Sequence, residues 1–365
     1  MKDKILFVLP SLTMGGLQKS GLVLVKAMQA AGFSVELCLL YPGKHFFGEL
    51  DSLTIYTPPA QSKLLVVKWF QVLWHLWRSI RKSSSDQVVV FGRYYGALAG
   101  LTLLLNRKVR LIVSERNSPH FRLSSHYERF CDAVFALRSP DLVLAQSDYA
   151  AKHQKNRYPS SRLVTLYNVF DSVHGTDTIL AKGSSVGGDI TFLVAGRFND
   201  ALKGIPTVLE AFMRLHDARG RLLIAGGKEG EDSSIDKILK ANLNTSSRVE
   251  FLGKVENMHE LFSMCDVFVL PSNSEGFPNV LVEAMQHGLC CITTEFHPGV
   301  FEILLDGEEG IVLPTAGVDA MENAFRKVLD GQIDVKRLGE NAKKRSKQFE
   351  IVERISEIRE VFGVS

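Results

Sequence analysis

Two glutamates eight residues apart, Glu275 and Glu283, lie in a segment whose other residues suit a sugar or nucleotide ligand. A carboxylate accepts paired hydrogen bonds from the hydroxyls of a sugar or a ribose. Gly276 lets a ligand approach the backbone, and a helix capped by Asn279 directs free N–H groups towards negative charge. Two glutamates at this spacing are common by chance, as a turn residue and a solvated helix residue. The whole segment, from the preceding strand to a terminating Gly288, is far more specific.

A second group of residues suits a diphosphate. A predicted strand ends in Gly196 and Arg197, and Lys203 and Gly204 follow at the start of a helix. The arginine fork and the lysine would place two cations beside the free N–H groups of a helix N-terminus. A surface arginine and lysine at an ordinary strand-to-helix turn fit equally well, so these residues alone leave both interpretations open.

The elements that must position these residues alternate in type along the chain. Short apolar runs alternate with segments of helical period, which predicts an α/β architecture with parallel sheets. Strands are expected at 4–9, 34–40, 87–91, 109–114, 141–146, 162–167, 190–195, 221–225, 249–252, 266–270, 290–293 and 310–313. Helices are expected at 19–31, 147–157, 204–217 and 279–287, and the last 30 residues are predicted to be helical throughout.

The chain is predicted to form two domains. Its 365 residues suit two domains of ordinary size, and the glycine- and serine-rich stretch 171–188 indicates a linker. We place the first domain at 1–172, joined by a C-terminal helix at about 350–365, and the second at 189–349. Two parallel-sheet domains facing each other across a cleft would bind a ligand at the carboxyl ends of their strands.

Composition excludes several classes of protein. An apolar fraction of 45% and a charged fraction of 23% exclude wholesale disorder. The first apolar run is too short for a secretory signal, and no run approaches the roughly 18 residues of a membrane span. The five cysteines are odd in number and contain no C-x-x-C pair. We therefore expect reduced thiols in a cytosolic protein, and no zinc or other metal site.

The net charge of +3 hides a strong asymmetry. Residues 1–170 hold 22 basic and 10 acidic side chains, a net +12, whereas 171–365 hold 21 and 30, a net −9. The first half should therefore attract anionic ligands and anionic surfaces.

With these motifs the sequence resembles the retaining glycosyltransferases of the GT-B fold, in the large group 4 that includes bacterial polysaccharide and lipid glycosyltransferases. The resemblance covers nearly the whole chain. It rests on a glycine loop at 9–19, the segments 144–147 and 166–171, the pairs Gly196-Arg197 and Lys203-Gly204, the block 274–288 and a closing block at 297–314. It implies two Rossmann-like parallel-sheet domains facing across a cleft, with a C-terminal helix crossing back to the first domain.

The resemblance also implies roles for individual residues. Arg197 and Lys203 would hold the diphosphate of a sugar donor and stabilise the departing charge. Glu275 would position the donor sugar, and Glu283 would bind the ribose hydroxyls. The remaining donor-binding residues are Gly15, Gly16, Gly276, Phe277, Pro278, Asn279 and Gly299. No cofactor is expected beyond the nucleotide-sugar donor, which is a co-substrate.

One loop departs from the family pattern. Many members carry a histidine after the strand that ends here at Val113, where this chain has Ser114, Glu115, Arg116 and Asn117. The Ser-Glu-Arg string is similar to one in a polysaccharide-forming subgroup, which implies a functional loop. Glu115 would bond a donor or acceptor hydroxyl, Arg116 would bind an acceptor phosphate, and Asn117 would complete this acceptor side.

All three tryptophans lie in the segment 63–82, together with five basic and no acidic residues. At 100° per residue its polar positions occupy one arc of about 160°, which predicts an amphipathic helix. A basic, tryptophan-bearing helix suits an anionic membrane surface. Because the segment precedes a predicted strand, we favour packing of its broad apolar face on the sheet while the basic rim contacts lipid. Trp74 lies at the border of this face, which holds Leu65, Val66, Trp69, Phe70, Val72, Leu73, Leu76, Trp77 and Ile80.

The activity that the resemblance implies is retaining, metal-independent transfer of a hexosyl group from a nucleoside-diphosphate sugar, with a UDP-sugar favoured. The acceptor would be a lipid-linked molecule or an oligosaccharide in the synthesis of cell-surface polysaccharide or lipopolysaccharide. The protein is expected in the cytoplasm, peripheral at the inner face of the membrane, without a nucleic-acid partner. The alternatives are a UDP-sugar 2-epimerase of the same fold and a non-catalytic sugar-binding protein. A Rossmann dehydrogenase is disfavoured because Gly15-Gly16 does not extend to G-x-G-x-x-G.

Overall fold

The computed structural model describes residues 4–12, 15–43, 53–173, 189–197, 201–226, 233–241 and 247–363. The chain divides into two compact units, of which the first contains Met1–Asp171 and Phe349–Ser365 and the second contains Ser172–Gln348. Most of the linker predicted at 171–188 lies outside the described residues. No helix among the residues described is both long enough and apolar enough to cross a bilayer.

The first unit is built on a parallel sheet with the strand order β3-β2-β1-β4-β5-β6-β7. The strands are β1 (Lys4–Leu9), β2 (Ser34–Leu39), β3 (Thr54–Tyr56), β4 (Gln87–Phe91), β5 (Arg110–Ser114), β6 (Leu142–Ala145) and β7 (Arg162–Thr165). The helices are α1 (Gly16–Ala30), α2 (Leu65–Ser83), α3 (Arg93–Thr102), α4 (Ser125–Leu137) and α5 (Asp148–Gln154). The central strands are nearly continuous apolar runs because helices cover both faces of the sheet.

The second unit has a parallel sheet with the strand order β10-β9-β8-β11-β12-β13. The strands are β8 (Ile190–Ala195), β9 (Gly220–Ala225), β10 (Val249–Gly253), β11 (Val267–Leu270), β12 (Cys290–Thr294) and β13 (Gly310–Leu313). The helices are α6 (Ile205–Met213), α7 (Ser233–Ala241), α8 (Met258–Ser263), α9 (Asn279–Gln286), α10 (Val318–Leu329) and α11 (Val335–Ser346). Phe192 of β8 anchors its core, with its ring centroid 4.8 Å from that of Phe325. The predicted class, two Rossmann-like parallel-sheet units, is confirmed.

The last 30 residues were predicted to be helical throughout, but the structure has a break between two helices. The break occurs where the chain passes from the second unit back to the first. After α11, Phe349 is fully buried and its carbonyl oxygen accepts a hydrogen bond from the Phe170 N–H at 2.9 Å. The chain then forms α12 (Ile351–Phe362), which packs on α1. The Gln87 side-chain amide donates to the Phe362 carbonyl at 2.6 Å. The predicted return of a C-terminal helix to the first domain is therefore confirmed.

The buried side of α2 is only part of the predicted apolar face. Its buried side carries Val72, Leu76 and Ile80, whereas Phe70 and Trp77 are exposed. The polar His75 is buried with them because its Nε2 lies 3.0 Å from the carbonyl oxygen of Leu39 at the end of β2. With His75 buried, the core takes the edge of the apolar face next to it, and the other edge, with Val66, Phe70 and Trp77, stays exposed.

Candidate functional site

The predicted diphosphate residues and the predicted sugar residues follow neighbouring strands. Arg197 follows β8 and Glu275 follows β11, and these two strands pair in parallel at the centre of the second sheet. Successive connections leave β8 and β11 in opposite directions along the sheet, since β9 lies on one side and β12 on the other. Such a switch point opens a crevice at the carboxyl ends of the strands, where open α/β sheets bind ligands.

The turn at 201–204 is fixed against the loop that follows β11. The Asn273 N–H donates to the Leu202 carbonyl oxygen at 2.8 Å. Gly204 has a left-handed backbone with φ +61°, and a Cβ at this position would clash with the carbonyl oxygen of Pro271. Both the conformation and the close approach require glycine here.

This contact brings Lys203 and Glu275 into a direct ion pair, with 2.7 Å between Lys203 Nζ and Glu275 Oε1. The side chains are 26% and 12% exposed, so the pair lies at the surface of the crevice without being sealed from solvent. The stem of Lys203 packs over Gly196, where an added Cβ would lie 3.3 Å from Lys203 Cβ. The next residue, Arg197, is exposed. The structure thus brings three of the predicted site residues to one end of β8.

We expect Gly204→Ala to lower the free energy of unfolding by about 1–3 kcal/mol, because it combines a strained positive φ with a backbone clash. Urea unfolding of the full chain measures this. Gly307→Ala is the matched control, since Gly307 also has a positive φ (+72°) but nothing lies within 4 Å of its added Cβ. Equal losses in the two variants would contradict a specific role for the contact with Pro271.

His297 joins two parts of the site, and sequence reasoning assigned it no role. Its Nε2 donates to the carbonyl oxygen of Glu275 at 3.1 Å, and its Nδ1 accepts from the Gly299 N–H at 3.0 Å. Together these bonds require the neutral imidazole with its proton on Nε2. Gly299 is buried and is the second residue of the turn Pro298–Glu302. His297 therefore holds the backbone of Glu275 in place while its own turn carries Gly299.

The helix that follows the loop begins one residue earlier than a cap at Asn279 implies. Asn279 is the first residue of α9, and Pro278 occupies the N-cap position without a side-chain cap. Phe277 is buried and anchors the loop, whereas Gly276 is partly exposed. Glu283 lies on the second turn as predicted, and it is only 7% exposed.

Gly226, at the carboxyl end of β9, is a site residue that the sequence did not reveal. It has φ +113°, and its N–H donates to the Gly253 carbonyl at 2.6 Å. An added Cβ would clash with the carbonyl oxygen of Gly196, so a side chain here would displace the backbone beside Arg197. A glycine directly after a strand was the available signal.

In the first unit, Arg116 connects to the start of α1 through a chain of hydrogen bonds. Its guanidinium donates from Nε to Ser114 Oγ at 2.7 Å and from NH1 to Asn168 Oδ1. Asn168 in turn lies 3.4 Å from the Ser20 hydroxyl, which donates to the Gly16 carbonyl at 2.8 Å. These hydrogen bonds hold Arg116 at the carboxyl edge of the sheet, in the same unit as Gly15 and Gly16.

The charge of Arg116 is partly buried without a carboxylate. Its other contact is the ring of Phe91, 5.2 Å from the guanidinium carbon, and no described acidic side chain pairs with it. Burial lowers the pKa of Arg116 to about 10, so the group still carries its positive charge at neutral pH. A cation held by neutral groups suits a phosphate.

Its neighbours in the predicted acceptor-side loop are placed differently. The Glu115 side chain is 2% exposed and accepts a hydrogen bond from the hydroxyl of Tyr158. Burial and the nearby carboxylate raise the pKa of Tyr158 well above its usual value, so the phenol keeps the proton that it donates. This placement favours a packing role for Glu115, while the Asn117 side chain is exposed.

Two family models together cover most of the chain. Glycosyltransferase Family 4 matches residues 14–173, and Glycosyl transferases group 1 matches residues 176–345. The sequence is 25% identical over 363 residues, 95% of both chains, to the GalNAc-alpha-(1->4)-GalNAc-alpha-(1->3)-diNAcBac-PP-undecaprenol alpha-1,4-N-acetyl-D-galactosaminyltransferase of Campylobacter jejuni. It is 24% identical over 300 residues, 80% of both chains, to an amylovoran biosynthesis glycosyltransferase of Erwinia amylovora.

A solved structure shares the fold. The Anabaena protein HepE, in complex with UDP and glucose, matches with a TM-score of 0.77 and 19% identity over 98% of this chain and 99% of that one.

Proposed function

Because the chain belongs to the GT4-type glycosyltransferases of the GT-B fold, we propose that it transfers a hexosyl group from a nucleoside-diphosphate sugar to an acceptor hydroxyl. The proposed donor is a UDP-sugar, and the proposed outcome is retention of the anomeric configuration without a metal ion. The observation that carries this proposal is the Lys203–Glu275 ion pair beside Gly196 and Arg197, at the switch point of the second sheet.

The geometry supports different roles for the cations and for the carboxylate of the crevice. In the transfer, the bond between the sugar C1 and the diphosphate oxygen breaks, and its electron pair leaves with the diphosphate. The acceptor oxygen forms the new bond to C1, and its proton is transferred to the departing diphosphate or to solvent. Arg197 and Lys203 are placed to stabilise the negative charge that develops on the diphosphate. Glu275, held by His297, is placed to accept hydrogen bonds from sugar hydroxyls.

The proposed acceptor is a lipid-linked saccharide in the synthesis of a cell-surface polysaccharide. Two relatives support this: the Campylobacter enzyme is named for an undecaprenyl-diphosphate-linked acceptor, and the Erwinia enzyme for amylovoran synthesis. Arg116 in the first unit offers a cation that a phosphate of such an acceptor would neutralise. The net charge of +12 over residues 1–170 supports a location at the inner face of the cell membrane, on the cytoplasmic side.

The test is a screen of UDP-, GDP- and ADP-sugars with a crude polyprenyl-linked acceptor extract. We expect release of UDP that depends on the acceptor and is unchanged by EDTA, with a product whose anomeric configuration, read by NMR, matches the donor's. Loss of activity in EDTA would contradict the metal-free mechanism. Formation of the donor's 2-epimer without transfer would indicate an epimerase, and binding without nucleotide release a sugar-binding protein.

A further inference from the structure

Helix α2 carries a row of apolar side chains that point away from the protein. Its buried side includes Val72, Leu76 and Ile80, which pack in the core of the first unit. On a different side, Val66, Phe70, Trp74 and Trp77 are 69%, 61%, 52% and 43% exposed. We call these four residues the outward stripe. At 100° per residue they lie within one arc of about 80°, whose centre is about 120° around the helix from that of Val72, Leu76 and Ile80.

The stripe continues into an apolar first turn. Leu64, Leu65 and Val67 are also exposed, with Leu65 at 82%. Isolated apolar residues on a surface are ordinary, but a contiguous row of this length marks a surface that contacts another apolar phase. Since Trp69 packs inward on Phe130 of α4, with ring centroids 6.3 Å apart, the helix is held firmly while its outer side stays open.

Basic groups accompany the stripe. The guanidinium carbon of Arg78 lies 5.2 Å from the Trp74 ring, and that of Arg81 lies 5.0 Å from the Trp77 ring. Such indole–guanidinium pairs combine an apolar body with a charged edge, which suits the headgroup level of a bilayer. The segment 53–85 contains no acidic residue. On the neighbouring α4, Glu128 forms ion pairs with Arg93 and Arg157.

We propose that α2 lies flat on an anionic lipid bilayer, with the outward stripe inserted among the acyl chains and Arg78, Arg81 and Lys82 at the phosphate groups. An apolar row flanked by cations has the complementarity that an anionic bilayer offers. Val66, Phe70 and Trp77 of the inserted side belong to the broad apolar face that periodicity had assigned to the sheet, and Trp74 lies at its border. The inference rests on the proposed function in one respect: a lipid-linked acceptor would explain why the protein lies at a membrane.

The experiment uses the full chain and vesicles of phosphatidylcholine with or without 30 mol% phosphatidylglycerol. All three tryptophans of the protein belong to α2, so intrinsic fluorescence reports on this helix directly. We expect a blue shift and co-sedimentation with the anionic vesicles, both reduced as salt rises. The variant Val66→Glu/Phe70→Glu keeps every tryptophan and should reduce partitioning at least tenfold. Arg78→Gln/Arg81→Gln should also reduce it by about tenfold or more, since each surface cation contributes several-fold.

The matched control is Leu105→Glu/Leu137→Glu, which makes the same chemical change at two exposed leucines of the first unit. It should partition like the wild type. Equal binding to neutral and anionic vesicles, or an equal loss in the control, would overturn the proposal. So would a dimer in lipid-free solution that Val66→Glu/Phe70→Glu converts to a monomer, because the stripe would then join two copies. Nucleotide release with a water-soluble acceptor tests the proposed function separately, and we expect the stripe variant to retain it.

Discussion

Lys203→Ala is expected to lower kcat by about 10²–10³-fold while the protein remains folded, which is the usual cost of removing one preorganised group that stabilises a developing anion. Its stem packs on Gly196 and its ammonium group is 2.7 Å from Glu275. In the proposed metal-free reaction, the charge on the departing diphosphate has to be stabilised by such fixed cations. Arg197→Ala should have a similar effect, since Arg197 directly follows the glycine on which Lys203 packs.

The effect on stability should be small, which separates catalysis from folding. Lys203 is partly exposed, and a solvent-exposed ion pair contributes about 1 kcal/mol or less. The midpoint temperature of thermal unfolding should therefore change by only a few degrees. Arg221→Ala is the matched control, because it removes a cation from an ion pair with Glu250 in the same sheet. Near-wild-type turnover in both Lys203→Ala and Arg197→Ala would remove the diphosphate site from the proposal.

The strands were the most predictable part of the fold. β1, β4, β8 and β13 were predicted at their observed bounds because each is a nearly uninterrupted apolar run. The three-residue β3 was missed, since a short edge strand leaves no such run. The break before α12 was missed as well. It depends on hydrogen bonds between Phe170 and residues 349–351, which lie about 180 positions later in the sequence.

The amphipathic helix shows a different limit of sequence periodicity. The apolar arc of α2 is wider than the surface that one helix buries, so more than one orientation satisfies it. The hydrogen bond between His75 and the Leu39 carbonyl selects the observed one. A polar side chain that is buried because it finds a backbone acceptor cannot be recognised from hydropathy.

Sequence reasoning identified most residues of the candidate site, but it did not predict the ion pair and the hydrogen bonds that join them. Lys203 and Glu275 were each identified from a local motif, but their ion pair joins positions 72 residues apart and depends on the pairing of β8 with β11. His297 acts through the backbone atoms of Glu275 and Gly299, a contact that no residue type or spacing announces. Glu115 was expected to face a ligand, and only the structure shows its carboxylate buried against Tyr158.

Glu275→Gln is expected to lower kcat/KM by about 10²-fold. The substitution keeps the size of the side chain and leaves the carbonyl contact with His297 in place. It removes the charge, however, and a hydrogen bond to a charged group contributes about 1.5–3 kcal/mol, which corresponds to roughly 10–10²-fold. Lys203 also loses its partner, so its ammonium group would be less well positioned for the diphosphate.

Binding measurements separate these two contributions. The affinity for UDP alone, measured by titration calorimetry, should fall strongly in Lys203→Ala. It should fall less in Glu275→Gln, because Lys203 keeps its charge there and UDP lacks the hexosyl group that Glu275 would hold. The affinity for the complete UDP-sugar should fall in both. Glu250→Gln is the matched control, since its exposed partner Arg221 lies outside the site. An equal loss of UDP affinity in the two site variants would mean that Glu275 acts only through Lys203.

A double-mutant cycle then tests whether the pair acts as a unit. Residues in direct contact at one reacting centre are strongly non-additive. We therefore expect Lys203→Ala/Glu275→Ala to be only a few-fold less active than the weaker of the two single variants. If the losses multiplied, Lys203 and Glu275 would contribute independently, and the ion pair would be a feature of the empty site only. Non-additivity would instead show that Glu275 positions the sugar and the lysine together, linking recognition of the donor to stabilisation of its leaving group.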